Sequence, residues 1–361
     1  MNRSKDVVLL LGAGASADAG IPVSAQMITE LESSFIDERQ KALYHHVKSA
    51  IYFASGLKGK FSENVPYNIE VLVNSLYELE RNEDHPLFPF IAAWNSRFVD
   101  LAGPDFRNVR IFRQSILGRL KRWVAPDDPH TADYYQGLIS LQRDLNYPLQ
   151  IFSLNYDLCV ERLNSPDFSI ETGFAGYGPQ NCWEWNRFEL EEGDGNSAPN
   201  VFLYKIHGSI DWKRDETTKK LYRVEQIANV DADKLELIFG REFKMEAADP
   251  YLFFAYRFRE LTLGAKLIVA LGYGFGDSHI NKMISQSLRN DPNQRLVVVQ
   301  RCSGAELAAR KKDEVRTTLE LNADRADQII IEQGSVKEFF ERNNLAAQLT
   351  QHIPADPDAP F

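Results

Sequence analysis

Three side chains in this sequence have the chemistry of a reactive centre. Asn155 and Asp157 share the turn Asn155-Tyr156-Asp157, and His207 opens His207-Gly208-Ser209. Each turn follows an apolar run, Leu149 to Leu154 and Phe202 to Ile206, so each reads as the carboxyl end of a buried strand. An imidazole titrates at about pH 6.5 and suits general-base work at neutral pH. A carboxamide can hold a water or a hydroxyl in place, and a carboxylate can accept backbone N–H groups or a hydroxyl. Alone, an Asn after a strand is a turn residue and a single His is more often a satisfied core residue. Two glycine-rich turns give them company. Gly12-Ala13-Gly14-Ala15-Ser16 follows the five apolar residues Val7 to Leu11, and Gly272-Tyr273-Gly274-Phe275-Gly276-Asp277 follows Lys266 to Leu271.

A strand that ends in such a turn and feeds a helix, here from about Ser24, gathers orphan N–H groups and the positive end of a helix dipole. That is a phosphate site, with Gly12 and Gly14 expected to supply positive φ and close backbone approach. The spacing Gly12, Gly14, Ala17 fits the loose dinucleotide fingerprint. Strand patterns return at Arg295–Gln300 and Gln328–Glu332. The fold class is therefore α/β, a Rossmann-like doubly wound parallel sheet, whose ligands bind outside the carboxyl ends of the strands.

A large helical insertion follows the first βα unit. Ile28, Leu31 and Phe35 recur at helical spacing, as do Leu43, Val47, Ile51 and Ala54. Ile69, Leu72, Val73, Leu76 and Leu79 make the cleanest stripe, with Asn68 as its cap, and Ile111 to Val124 makes another helix. The domain reading is an α/β domain over 1–24 and 130–350, a helical insertion over 25–129, and a frayed tail over 351–361. No acidic residue closes a second strand about 20 positions past the glycines, which counts against an ordinary NAD dehydrogenase. Further along, Thr131–Leu145 is expected to be helical, Leu158–Leu163 to start a helix, residues 213–262 to be mostly helical with Leu235–Phe239 of either type, and Ser335–Asn343 to close the chain. Gly173 to Pro199 reads as a long excursion, with Phe174 and Tyr177 expected in the core and Trp183 and Trp185 as packing or interface residues.

A net charge of −10 argues against broad binding to a nucleic-acid backbone. The basic run Arg107, Arg110, Arg113, Arg119, Lys121, Arg122 reads first as a solvated face or as partners for the chain's own carboxylates. Cys159, Cys182 and Cys302 are too scattered for a disulfide framework or a Cys-x-x-Cys metal ribbon, so no metal and a reducing cytoplasm are expected. No apolar run reaches the ~20 residues of a membrane span, and the polar start leaves no room for a signal peptide.

Taken together, the turns resemble the NAD-binding segments of the sirtuin superfamily. Gly12-Ala13-Gly14-Ala15-Ser16 with Asp18 and Gly20-Ile21-Pro22 resembles its first loop, and Asn155-Tyr156-Asp157 its Gln-Asn-Ile-Asp segment at the nicotinamide end. His207-Gly208-Ser209 resembles its catalytic His-Gly-Ser, and Gly272-Tyr273-Gly274 through Asp277 its late loop at the adenosine half. Asn68-Ile69-Glu70 ahead of a leucine stripe resembles a bacterial, zinc-less branch of NAD-consuming anti-phage defence effectors. Val23-Ser24-Ala25 stands where deacylases have Asp-Phe-Arg, and both zinc-holding Cys pairs are missing.

The resemblance implies NAD+ as substrate and cleavage of its nicotinamide N-glycosidic bond. Asn155 would position water and ribose, His207 would act as base toward a ribose hydroxyl or that water, and Asp157 would fix the loop or assist the ribose. Nicotinamide leaves as a neutral pyridine, so the general acid that ordinary glycosidases need is unnecessary. The rival readings are a non-catalytic sensor of NAD or an ADP-ribose nucleotide, and a sirtuin-type ADP-ribosyltransferase or deacylase. A runaway NADase would kill its cell, so control by assembly is expected. By resemblance this means a ring-shaped homo-oligomer with a HerA-type hexameric DNA-translocase ATPase, or else an Argonaute-like protein.

Overall fold

The computed structural model describes residues 6–35, 37–61, 65, 67–80, 96–125, 128–189, 198–231, 234–237 and 249–353. In chain order the strands are β1 (Val7–Leu11), β2 (Leu149–Ser153), β3 (Ile170–Glu171), β4 (Val201–Lys205), β5 (Gly208–Arg214), β6 (Leu221–Arg223), β7 (Leu235–Leu237), β8 (Leu267–Leu271), β9 (Arg295–Gln300) and β10 (Ile329–Gln333). Seven of them form one sheet in the order β10-β9-β8-β1-β2-β4-β3. Every pairing in it is parallel.

Strand β1 lies at the centre and is buried at all five positions. Successive side chains point to opposite faces, which splits the core in two. Val7, Leu9 and Leu11 pack with Tyr135, Leu138 and Phe339 on one face, while Val8 and Leu10 pack with Phe254, Phe258 and Ile284 on the other. Helices thus cover both faces, as an unbroken apolar strand requires. Chain order reverses about β1, since β2 pairs with one of its edges and β8 with the other. The carboxyl ends beside that reversal are where the chemistry-bearing turns emerge.

Helices Ser24–Ser33, Glu38–Leu57, Ile69–Glu80, Ser96–Ala102 and Arg107–Trp123 bury a third apolar cluster, including Leu31, Leu43, Leu72, Leu76, Phe112 and Ile116. Asn68 caps as expected, its Oδ1 accepting the Val71 N–H at 3.0 Å. Ala54 is exposed instead of joining the stripe. The cluster also takes in Tyr156 and Ile210 from the sheet domain, so these helices sit on the rim that carries the site. In the basic run, Arg113 pairs with Glu80 at 2.5 Å, Arg119 bonds Ser34, and Lys121 bonds the Val230 carbonyl. Those three cations serve the fold.

Several expectations need correcting. The described residues of 213–262 are not mostly helical: β5, β6 and β7 form a second, antiparallel sheet, and among these residues helix is confined to a 3-10 turn at Ile227–Asn229 and the α-helix Tyr251–Gly264. The missed signal is turn chemistry, because Asp215 Oδ1 accepts the N–H groups of Thr217 and Thr218 and folds β5 back toward β6. Leu158–Leu163 yields only a 3-10 turn at Glu161–Leu163; Pro166 follows closely and disfavours helix at Ser165. Pro129–Gln136 is 3-10, with α-helix confined to Gly137–Leu145. The closing helix is Val336–Phe340, started by a Ser335/Glu338 capping box, and a further helix runs over Leu345–Thr350. In the excursion Phe174 packs on Trp212, and Trp183 on Phe253 and Phe254, but Tyr177, expected in the core, is exposed under the Arg223 guanidinium, and Trp185 is exposed as well. The acidic stretch 191–197 and the tail from 354 lie outside the described residues.

Candidate active site

The two glycine-rich turns lock together. Gly12 N–H donates to the Leu271 carbonyl and Gly14 N–H to the Gly272 carbonyl, both at 2.9 Å. A Cβ on Gly12 would lie 2.6 Å from Tyr273 Cα, and one on Gly14 2.9 Å from the Gly272 oxygen. Gly272 is held from the other side at φ 62°, where a Cβ would stand 2.2 Å from the Ala15 nitrogen. This corrects the expected role of the first two glycines. Gly12 has φ −105° and Gly14 is not among the positive-φ residues; both are glycine because a second backbone passes against them. Positive φ belongs to Gly20 (81°) and Gly272.

The expected phosphate donors change with it. The N–H groups of Gly12, Gly14, Ala15 and Ser16 are all spent within the two loops. Helix Ser24–Ser33, by contrast, opens its first turn onto the cleft at Ser24 and Ala25, so its positive end faces the space where an anion would lie.

Behind the first loop Ser16 is completely buried and its hydroxyl is saturated. It donates to Asp157 Oδ2 at 2.8 Å and accepts from Asn155 Nδ2 at 3.2 Å, and with its one proton so committed the 2.9 Å contact to Tyr135 is received from the phenol. Tyr134 donates to the Ala15 carbonyl from the same segment, at 2.5 Å. Asn155 also donates to the Gly12 carbonyl at 3.0 Å. Both of its amide hydrogens are thus used, which fixes the orientation of the group. Its Oδ1 is buried and has no hydrogen-bond partner among the described residues. Asn155 therefore presents a single acceptor. Asp157 takes Ser16 on one oxygen and the Cys159 N–H, at 3.0 Å, on the other, while its carbonyl accepts from Lys205. It fixes the loop and does not line the cleft.

His207 stands where β4 hands over to β5. Its Nε2 lies 2.9 Å from Asp277 Oδ2, and a carboxylate only accepts, so Nε2 carries the hydrogen and Nδ1 is left to exchange a proton. Asp277 Oδ1 meanwhile caps helix Ser278–Asn290 through the N–H groups of His279 and Ile280. Burial pulls the His207 pKa down, but the bond to Asp277 and the charges of Asp277 and Glu70 outweigh it, and the net shift is upward. For Asp277 burial works the other way and raises, yet the His207 bond and the two helix N–H groups leave the carboxyl below its ordinary range. Glu70 is pushed up, chiefly by burial.

A cleft of about 580 Å³ runs along the carboxyl rim. Gly12, Ala13, Gly14, Asn155, His207, Gly272, Tyr273, Gly274 and Asp277 line it. Ser16, Tyr156 and Asp157 are buried behind it, and Asp18, Gly20, Ile21 and Pro22 are not in its lining. Asp18 instead pairs with Arg301. Tyr273 is held by its hydroxyl to Asn281 at 2.8 Å, which also ties the Phe275 carbonyl and so braces the whole late loop. Residues missed as liners include Gln26, Glu70, Gln300, Arg301 and Ser335. Glu70 was visible in Asn68-Ile69-Glu70, but nothing local says that its helix abuts His207. From His207 at the end of β4 to Arg301 past β9 the rim crosses four strand spacings, about 19 Å. Among the described residues no His, Cys, Asp and Glu side chains gather as a metal-binding group.

Residues 149–322 match the family model described as SIR2-like domain. No curated protein matches the chain. Among solved structures, a Sir2 homolog–NAD complex aligns at 12% identity and TM-score 0.43, over 98% of this chain and 93% of that one. Sir2Tm bound to a propionylated peptide aligns at 13% and 0.41, over 97% and 94%. Residues 149–322 are thus a SIR2-like domain.

Proposed function

We propose that this protein hydrolyses NAD+ at the bond between ribose C1′ and the nicotinamide nitrogen, releasing nicotinamide and ADP-ribose. The observation that carries the reading is the pair facing one cleft: a buried acceptor on Asn155 and an imidazole on His207 whose far nitrogen is tied to Asp277. The bonding pair leaves with nicotinamide, which needs no proton. Asn155 Oδ1 accepts a hydrogen from the attacking water, and His207 Nδ1 takes the proton as the water oxygen bonds to C1′. A cleft about 19 Å along the rim suits an extended dinucleotide, with pyrophosphate beside the first turn of helix Ser24–Ser33.

Purified full-length chain incubated with NAD+ should yield nicotinamide and ADP-ribose in equal amounts. Asn155→Ala and His207→Ala should each lower the rate by about 10²–10⁴-fold in protein that circular dichroism shows to be folded. Bound but intact NAD+ under all conditions would instead support the sensor reading, and label transferred to protein or nucleic acid the transferase reading. We further propose an NAD-depleting role in anti-phage defence, gated by homo-oligomerisation with a HerA-type ATPase, or else by an Argonaute-like partner. Light scattering that finds only monomers with full activity would remove that part.

A further inference from the structure

The sheet domain supplies Asn155, His207 and Asp277, but one acid in the cleft comes from outside the SIR2-like segment. Glu70 stands in the first turn of helix Ile69–Glu80, two residues past the cap Asn68, and both residues line the cleft with Asn155 and His207. The helix is firmly seated. Ile69, Leu72, Val73 and Leu76 bury the opposite side of the helix in the third core cluster, and Tyr156, next to Asn155, packs into that same cluster. An acid therefore lines the same cleft as His207, and the two feel each other's charge. Burial pushes Glu70 up, and the charge of His207 together with the positive end of its own helix acts against that shift, toward the ionised form.

Breaking the nicotinamide bond leaves positive charge on C1′ and the ring oxygen before water has bonded. Asn155 offers one neutral acceptor and Asp277 is already committed to His207 and two helix N–H groups. Resting on the reading above, we infer that Glu70 is a catalytic residue whose carboxylate faces the ribose and stabilises its oxocarbenium-like charge. A fixed charge aimed where charge develops needs no reorganisation in the transition state. No new bond is made to Glu70, and the atom balance of hydrolysis is unchanged.

The test compares wild type, Glu70→Gln and Glu70→Asp for turnover, NAD+ affinity by calorimetry, and melting temperature. Glu70→Gln keeps shape and loses charge; it should turn over about 10²–10³-fold more slowly, as when a single electrostatic stabiliser is removed. It should still bind NAD+ and melt near wild type, and Glu70→Asp should recover part of the rate. Wild-type turnover by Glu70→Gln overturns the inference, and so does a loss confined to affinity. Wild type that binds NAD+ without cleaving it defeats the reading of the whole site instead, so the two failures are told apart.

Discussion

At the scale of single residues the decisive geometry is the fixing of two groups by their neighbours. Asn155 is oriented because Gly12 and Ser16 take both of its hydrogens, and His207 because Asp277 takes one. Asp277→Asn removes one of the charges that raise His207 and leaves only a neutral acceptor for Nε2–H, so the His207 pKa should fall; NMR titration of the ring protons would follow it. If neutral His207 is the base, the rising limb of the pH–rate profile moves to lower pH in that variant. The same pair has a stability signature. His207 is raised in the folded state, so its contribution is full below the unfolded value of about 6.5 and is lost as pH climbs through the folded value. Asp277 is lowered, so its contribution is full above about 3.9 and is lost as pH falls through its folded value. The pair therefore stabilises most between about pH 4 and 6.5, which denaturant melts across that range would detect. Asn155, His207 and the glycines were legible in the sequence, because each follows an apolar strand. The partnership of His207 with Asp277 was not, since 70 residues separate them and each has a bland local explanation.

At the scale of elements, parallel strands were readable as unbroken apolar runs and the helical lobe as 3.6-residue stripes. The antiparallel sheet was not. Two of its strands have only three residues each, β5 mixes Ser209, Asp211, Lys213 and Arg214 with its apolar positions, and tertiary packing of Trp212 on Phe254 decides what propensity leaves open. One buried ion pair braces this region. Lys205 Nζ lies 3.2 Å from Glu161 and also holds the Asp157 carbonyl, with the lysine 2% exposed. Lys205→Met leaves Glu161 without its partner and frees the turn that carries Asn155. A loss of about 3–5 kcal/mol is expected, measurable by urea unfolding. Gly12→Ala should be similarly intolerant for a different reason. The Cβ meets backbone, which cannot rotate away, and overpacking of this kind costs about 1–3 kcal/mol.

At the scale of the whole molecule, the cleft is a joint product of strand ends and helical lobe. NAD+ at 100 times its dissociation constant should raise stability by about 2.7 kcal/mol, seen as a shift in melting temperature. Helices on the rim also make the lobe a natural place for an assembly signal to act, since Glu70 and Tyr156 connect its core to the reactive side chains. None of the helices among the described residues is long and apolar enough to cross a membrane.

The interleaved turns at Gly12, Gly14 and Gly272 have a dynamic consequence. Two loops that exchange amide hydrogen bonds and leave no room for a methyl group between them behave as one body, so neither can swing aside to admit a ligand. Any opening of the cleft is then expected on the helical side, over a floor that stays still. Deuterium uptake would reveal the asymmetry: the Gly12 and Gly14 amides should exchange only when the entire domain unfolds, while the first turn of helix Ser24–Ser33 exchanges long before.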